Sequence, residues 1–240
     1  MLKEEFFSTL RVGVSARLGR RQERKDVMPH RLLLLPNHAS LVLVDTQERL
    51  AAAMRRRQGV VQNIVLLIQT ANRLGIPIIH TEQYPKGLGR TVPEVASLLK
   101  TAPIEKTTFN CCGVEAFLSA LKRTGTKRVV LAGMEAHVCV AQTALDLIYR
   151  GHDVHVPVDA VCSRHEIDWE YGIRKIERAG GVLTTTEAAI FELLGKADTE
   201  IFRAVSRLIK QARPVRGMGP SAEEEPDDSE PSIVQQELKI

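Results

Sequence analysis

The chain has 240 residues, of which 44% are hydrophobic, 26% charged and 4% aromatic, a balance that excludes a fibrous or wholly disordered polypeptide. Its formal net charge of +4 combines a basic head (residues 1–37), a mildly basic middle and an acidic tail (residues 214–240), and no block is basic enough to read as a nucleic-acid surface by charge alone. No stretch approaches the roughly 18 uninterrupted apolar residues that a membrane span needs, so the chain reads as a soluble protein.

From residue 38 onward, short apolar runs alternate with helical periodicity. Leu41-Val42-Leu43-Val44 predicts a strand ending at Asp45. Val61, Ile64, Val65, Ile68, Ala71 and Leu74 recur at helical spacing and are closed by Gly75. Residues 76–80 predict a second strand, and Glu105-Lys106 occupy a short segment before Phe109. Val114, Phe117, Leu118 and Leu121 repeat at i, i+3, i+4 and i+7 between Gly113 and Gly125. Residues 128–132 predict a strand ended by Gly133, residues 138–149 a helix closed by Gly151, and residues 154–158 a further strand. A helix over 166–179, a break at Gly180-Gly181, a last strand over 182–185 and a terminal helix over 198–211 complete the pattern.

Strands that are apolar throughout, separated by amphipathic helices, imply a parallel sheet covered on both faces. The expected fold is therefore α/β: a three-layer, doubly wound, mostly parallel sheet with right-handed crossovers. It occupies residues 38–213. The basic extension over 1–37 is expected to be poorly ordered, and the Pro-, Gly-, Glu-, Asp- and Ser-rich tail over 214–240 to be disordered. Met28 lies just before the first strand and is a candidate start. Arg11, Arg17, Arg20, Arg21 and Arg24 give the head a faint organelle-transit character that Glu4, Glu5 and Glu23 oppose. With no secretory signal, a cytoplasmic location and reduced thiols are expected. Cys111, Cys112, Cys139 and Cys162 contain no Cys-x-x-Cys pair, so a zinc site has little support; singly, each reads as a small buried hydrophobe.

Open parallel sheets bind ligands beyond the carboxyl ends of their strands. That rule brings Asp45, Glu82-Gln83-Tyr84, Glu105-Lys106, residues 135–139, Asp159 and Ser163 to one edge. Taken alone, Asp45 reads as a turn residue, Lys106 as an exposed lysine and Cys139 as buried filler, while His137 and His165 have no visible partners. Together they define a chemistry. A thiol in the first turn of a helix, near an ammonium, is drawn toward the thiolate, which predicts a nucleophile at near-neutral pH. A neighbouring Asp relays protons, and backbone N–H groups of the 133–139 turn form an oxyanion hole. Tyr84 and Phe109 either line the pocket or pack in the core, and Gln47 and Gln83 stand ready to hydrogen-bond a small-molecule substrate.

The stretches Leu43-Val44-Asp45-Thr46-Gln47, Glu105-Lys106-Thr107-Thr108-Phe109 and Gly133-Met134-Glu135-Ala136-His137-Val138-Cys139-Val140 resemble the isochorismatase-like cysteine hydrolases, whose fold is Rossmann-like. Residues 156–160 and 184–187 are also similar, and residues 80–90 resemble the isochorismatase domain-containing proteins. The resemblance implies an Asp-Lys-Cys triad at Asp45, Lys106 and Cys139, and a thioester acyl-enzyme formed on an amide-like carbonyl. It implies a non-proline cis peptide between Met134 and Glu135, with the N–H groups of Glu135 and Cys139 as oxyanion donors, and a homo-oligomer. No cofactor is implied. Nicotinamidases of this superfamily carry metal ligands where this chain has Gln83 and Pro85, which are poor replacements for carboxylate and imidazole, so no metal is expected. Enzymes acting on isochorismate itself lack the nucleophilic cysteine, so with Cys139 present the family name is not taken as the substrate, and the expected function is a cysteine hydrolase of a small amide or related C–N substrate. The alternative class is a noncatalytic binding protein touching nucleic acid through the Arg-rich head, with Arg55-Arg56-Arg57 as a second basic cluster. The enzyme reading is preferred because three reactive groups at one sheet edge have no evident use in a scaffold.

Overall fold

The computed structural model describes residues 30–212; the expectations for the head and tail that fall on residues 1–29 and 213–240 lie outside the described residues. After a turn at Pro36–His38 the chain forms β1 (Ala39–Val44), α1 (Glu48–Ala52), α2 (Arg57–Leu74) and β2 (Ile78–Gln83). Two single-turn helices, α3 (Pro85–Leu88) and α4 (Pro93–Ala96), lead into β3 (Ile104–Lys106), α5 (Glu115–Thr124) and β4 (Arg128–Met134). A π-helical turn (Ala136–Val140) then runs into α6 (Ala141–Tyr149), β5 (Asp153–Pro157), β6 (Val161–Cys162), α7 (Glu166–Arg178), β7 (Val182–Thr184), α8 (Thr186–Leu194) and α9 (Glu200–Ala212).

Among the described residues the seven strands form one sheet in the order β3-β2-β1-β4-β5-β7, with β6 also pairing β4, and the pairs are parallel. Alternate residues of each strand feed two apolar layers. Leu41, Leu43, Val130 and Ala132 pack with Ile64, Leu67 and Ile68 of α2, Ile190 of α8 and Val205 and Ile209 of α9. Val42, Val44, Val129 and Leu131 pack on the other side with Phe117 and Leu121 of α5, Ala144 and Leu147 of α6 and Ile173 and Ile176 of α7. The fold is thus a three-layer, doubly wound α/β sheet. Leu34 joins the first of these layers and its N–H donates to Glu192 Oε2 at 2.9 Å.

The strand order reverses between β1 and β4, the crevice where such sheets hold ligands. Gly133 makes the two strands meet there. It lies opposite Val44 at φ 125°, and a Cβ at this position would sit 2.0 Å from the Val44 carbonyl oxygen. Gly133→Ala adds both a backbone clash and left-handed strain, and is expected to cost roughly 3 kcal/mol or more. Urea unfolding of the variant measures this; a loss below 1 kcal/mol would show that the strands separate freely. Gly172 of α7 has a similar task, since a Cβ there would lie 2.8 Å from His137 Cα, so α7 packs directly on the backbone that carries Cys139.

Several elements depart from the sequence expectations: α1, α3, α4 and β6 were not expected, and β4 runs two residues past its predicted end. β2 continues past residue 80 to Gln83, because Thr81, Glu82 and Gln83 pair with Ile104, Glu105 and Lys106. β3 and α8 were not foreseen: β3 has only Ile104 as an apolar residue and exists through that non-local pairing.

His155 on β5 is fully buried; its Nε2–H donates to the Arg31 carbonyl at 3.2 Å and Nδ1 has no partner. Burial lowers its pKa from 6.5 to about 4, the hydrogen bond to Arg31 opposing only in part. Above pH 6.5 the imidazole is neutral folded and unfolded, and contributes nothing to pH dependence. Between 6.5 and about 4 only the unfolded chain takes up the proton, so stability falls with acidification by roughly 3 kcal/mol. His155→Leu should remove that part of the decline, seen as a smaller drop in urea midpoint between pH 6.5 and 4 than in the parent protein.

Candidate active site

Asp45 follows β1 and is completely buried, with a positive φ of 48° that turns its carboxylate to the sheet edge. Lys106 ends β3, and its side chain is equally buried. Lys106 Nζ donates to Asp45 Oδ2 at 2.6 Å and to Gln83 Oε1 at 2.7 Å, with the Thr108 and Phe109 carbonyls each at 3.2 Å. Thr81 Oγ1 donates to Asp45 Oδ1 at 2.7 Å. Cys139 sits in the π-helical turn after β4, 5% exposed, with the Asp45 carboxylate beside its thiol. The Met134–Glu135 peptide preceding this turn is cis. The structure therefore brings Asp45, Lys106 and Cys139 into one buried cluster, contributed by β1, β3 and the turn after β4.

The expected thiolate is corrected by this geometry. Burial raises the Cys139 pKa well above the usual thiol range, the Asp45 carboxylate raises it further, and Lys106 offsets only part. The ammonium is bonded to Asp45, leaving the carboxylate facing the sulfur. Cys139 is a protonated thiol at neutral pH beside a carboxylate able to take its proton. Cys111, Cys112 and Cys162 are likewise free and buried, with pKa values raised chiefly by burial, to about 12 for Cys112 and Cys162.

Gln47 and Gln83, expected to face a substrate, are committed within the chain. Gln47 is fully buried; it donates to the Gln83 and Gly89 carbonyls at 3.1 and 2.7 Å and accepts from Gln83 N at 2.7 Å. Gln83 donates to the Thr107 carbonyl at 2.9 Å while holding Lys106. Both amides position the ends of β1, β2 and β3. Tyr84 and Phe109 are each 54% exposed, so neither is core filler. Tyr84 lines a cleft of about 400 Å³ with Pro85, Lys86, Glu105, Lys106, Thr107 and Val114.

The turn carrying the thiol is clamped from outside. The Glu135 carboxylate accepts from Arg164 N and Nε, both at 3.1 Å. His137, which showed no partner in the sequence, has Nδ1 2.9 Å from Ser163 Oγ and Nε2 3.9 Å from Asp168 Oδ2. Sequence reasoning passed over Thr81 and read Cys111 only as a small buried hydrophobe, which it is. Thr81 is two residues before Gln83 on one strand, hence on the same face, and that alternation was the available signal. No group of three or more His, Cys, Asp or Glu side chains able to hold a metal occurs among the described residues, and no helix among them is long and apolar enough to cross a membrane.

A buried Asp–Lys pair thus lies with a thiol on the turn after the neighbouring strand, at the switch point of a parallel α/β sheet. The chain belongs to the isochorismatase family, whose domain model matches residues 39–188. It is 36% identical over 185 residues to isochorismatase domain-containing protein 1 of Salmo salar, covering 77% of this chain but 65% of that protein. It is 37% identical over 186 residues to isochorismatase domain-containing protein 2 of Bos taurus, covering 77% and 89%. A solved structure named MAR1 ribonuclease from Caenorhabditis elegans matches at 40% identity and a TM-score of 0.71, over 80% of this chain and 99% of that one. The Escherichia coli ycaC product, described as an octameric hydrolase of unknown specificity, matches at 30% and 0.72, over 76% and 91%. YcaC from Pseudomonas aeruginosa, solved with hexane-2,5-diol and covalent acrylamide, matches at 27% and 0.68, over 75% and 96%.

Proposed function

We propose that the protein is a cysteine hydrolase of small amides or related C–N substrates, with Asp45, Lys106 and Cys139 as its catalytic residues. The observation that carries this reading is the Asp45 carboxylate, which lies between a buried ammonium and a buried thiol. Cys139 gives its proton to Asp45 as the sulfur attacks the substrate carbonyl, and the N–H groups of Glu135 and Cys139 receive the oxyanion. Collapse breaks the C–N bond, and the leaving amine takes the proton from Asp45. Water then attacks the thioester, Asp45 accepting its proton and returning it to the departing thiol. Each cycle consumes one water and releases an acid and an amine. Lys106 holds Asp45 in place through its hydrogen bond to Oδ2, while the cleft beside Tyr84 admits the substrate. The Pseudomonas relative was solved with covalent acrylamide, an electrophile attacked at its vinyl carbon, which supports a reactive nucleophile in that protein, and the octameric Escherichia relative supports a homo-oligomer.

The test is ammonia or amine release across a panel of small primary and secondary amides, with rapid acid quench and peptide mass spectrometry. A substrate should leave its acyl mass on the Cys139 peptide. An acyl mass on another residue, or turnover with Cys139 never modified, overturns the reading.

A second reading, RNA cleavage, is favoured by the name of the nematode neighbour. Incubating a labelled RNA oligonucleotide with the protein and with Cys139→Ala separates the two. Cleavage lost in the variant assigns RNA to this site, and its absence from both leaves the amide reading alone.

A further inference from the structure

The two oxygens of Asp45 have partners of different kinds. Oδ2 accepts from Lys106, an ammonium that can only donate. Oδ1 accepts from Thr81, a hydroxyl that can both donate and accept and is free to rotate. Lys106 thus favours the carboxylate alone, whereas the proposed reaction requires Asp45 to carry a proton for part of each cycle. A carboxylic acid whose new O–H met only donors would be a buried group without a partner, which is costly.

Thr81 has a second neighbour. Its Oγ1 lies 3.8 Å from Cys111 Sγ, a distance at which either atom serves as donor. Thr81 and Cys111 are 2% and 0% exposed, so neither touches a substrate. Cys111 is itself held in place, its N–H donating to Thr143 Oγ1 at 3.0 Å. With Asp45 ionised, the Cys111 S–H points to Thr81 and the Thr81 O–H to Oδ1. With Asp45 protonated, the acid O–H donates to Thr81, whose own hydrogen turns to the Cys111 sulfur. In both states each Asp45 oxygen keeps a partner, and the change needs only hydroxyl and thiol rotations.

We propose that Thr81, backed by Cys111, is the positioning residue that lets Asp45 hold the proton it takes from Cys139; this rests on Asp45 being the base for that thiol. No bond other than the Cys139 S–H breaks, and its proton ends on Oδ1 of Asp45.

Because no substrate is needed to take a proton from Cys139, the experiment is alkylation of the intact protein by iodoacetamide from pH 6 to 10. The rate at each cysteine is read by peptide mass spectrometry, with Cys112 and Cys162 as internal controls. Thr81→Val keeps the side-chain shape and removes the hydroxyl. It should slow Cys139 alkylation about tenfold at pH 7, the size expected for leaving the O–H of protonated Asp45 buried without an acceptor. Thr81→Ser should recover the rate to within about threefold, well inside that loss. The deficit should shrink toward pH 10, where hydroxide removes the thiol proton without Asp45; a merely structural defect would persist at every pH. Cys111→Ala tests the same chain should Thr81→Val fail to fold, and should slow Cys139 several-fold. Parent-like rates in both Thr81→Val and Cys111→Ala, or in Cys111→Ala alone should Thr81→Val not fold, overturn the proposal. Asp45→Asn separates the failures. If that variant alkylates at the parent rate, Asp45 is not the base and the underlying reading falls; if it is slow while Thr81→Val is not, only the role of Thr81 falls.

Discussion

Cys139→Ala should abolish amide turnover, with a loss of at least about 10³-fold, the scale on which removing a nucleophile acts in acyl-transfer enzymes. The protein should remain folded. The exchange removes one sulfur from a buried position, leaves the Asp45–Lys106 pair intact and costs on the order of 1 kcal/mol. No other thiol is a ready substitute: Cys112 and Cys162 are buried with pKa values near 12, and Cys111 faces Thr81 and Thr143. The measurement is steady-state release of amine alongside thermal unfolding of the same samples. Turnover above about 1% of the parent in a folded Cys139→Ala protein would remove the acyl-enzyme from consideration, since that residue is far larger than nucleophile deletion leaves.

Lys106→Met should destabilise the fold by about 3–5 kcal/mol, the cost of removing one partner from a buried ion pair. The reason is what remains. Asp45 is completely buried at the carboxyl end of β1, and without Lys106 its Oδ2 loses its 2.6 Å partner. The Gln83 side-chain oxygen and the Thr108 and Phe109 carbonyls lose the same donor, so the segment after β3 loosens as well. Asp45→Asn combined with Lys106→Met should recover part of the loss, because neutral groups replace the stranded carboxylate. Urea unfolding of the two single variants and the double variant forms the cycle. A single Lys106→Met variant within 1 kcal/mol of the parent would mean that water or another cation reaches Asp45.

How much of this was legible in the chain depends on how far each property reaches. Continuous runs such as Leu41 to Val44 separated by 3.6-residue periodicity announce a covered parallel sheet, because hydrophobic spacing is a local property of the chain. β3 was not legible, since three residues with one apolar side chain carry no period and take strand form only by pairing with Thr81 to Gln83. Asp45 and Cys139 could be picked out because each follows a legible strand and falls within a recognisable motif, and Lys106 through its motif alone. Gln47 and Gln83 were picked out by the same position, and their amides turned inward. Position along a strand tells which edge a residue reaches, not which neighbour meets it.

The state of the thiol separates the two levels most sharply. The order of apolar runs and Gly133 determine by themselves a doubly wound sheet and the turn after its 128–132 strand, because periodicity and steric size are written residue by residue. Whether Cys139 rests as thiol or thiolate is decided only in the tertiary structure. Electrostatic energy depends on distance and desolvation, and the chain folds so that Lys106 bonds Asp45 while Cys139 lies buried against the carboxylate. The same holds for Thr81 and Cys111. Thirty residues apart in sequence and 3.8 Å apart in space, they become partners only because β2 and the turn after β3 close over Asp45.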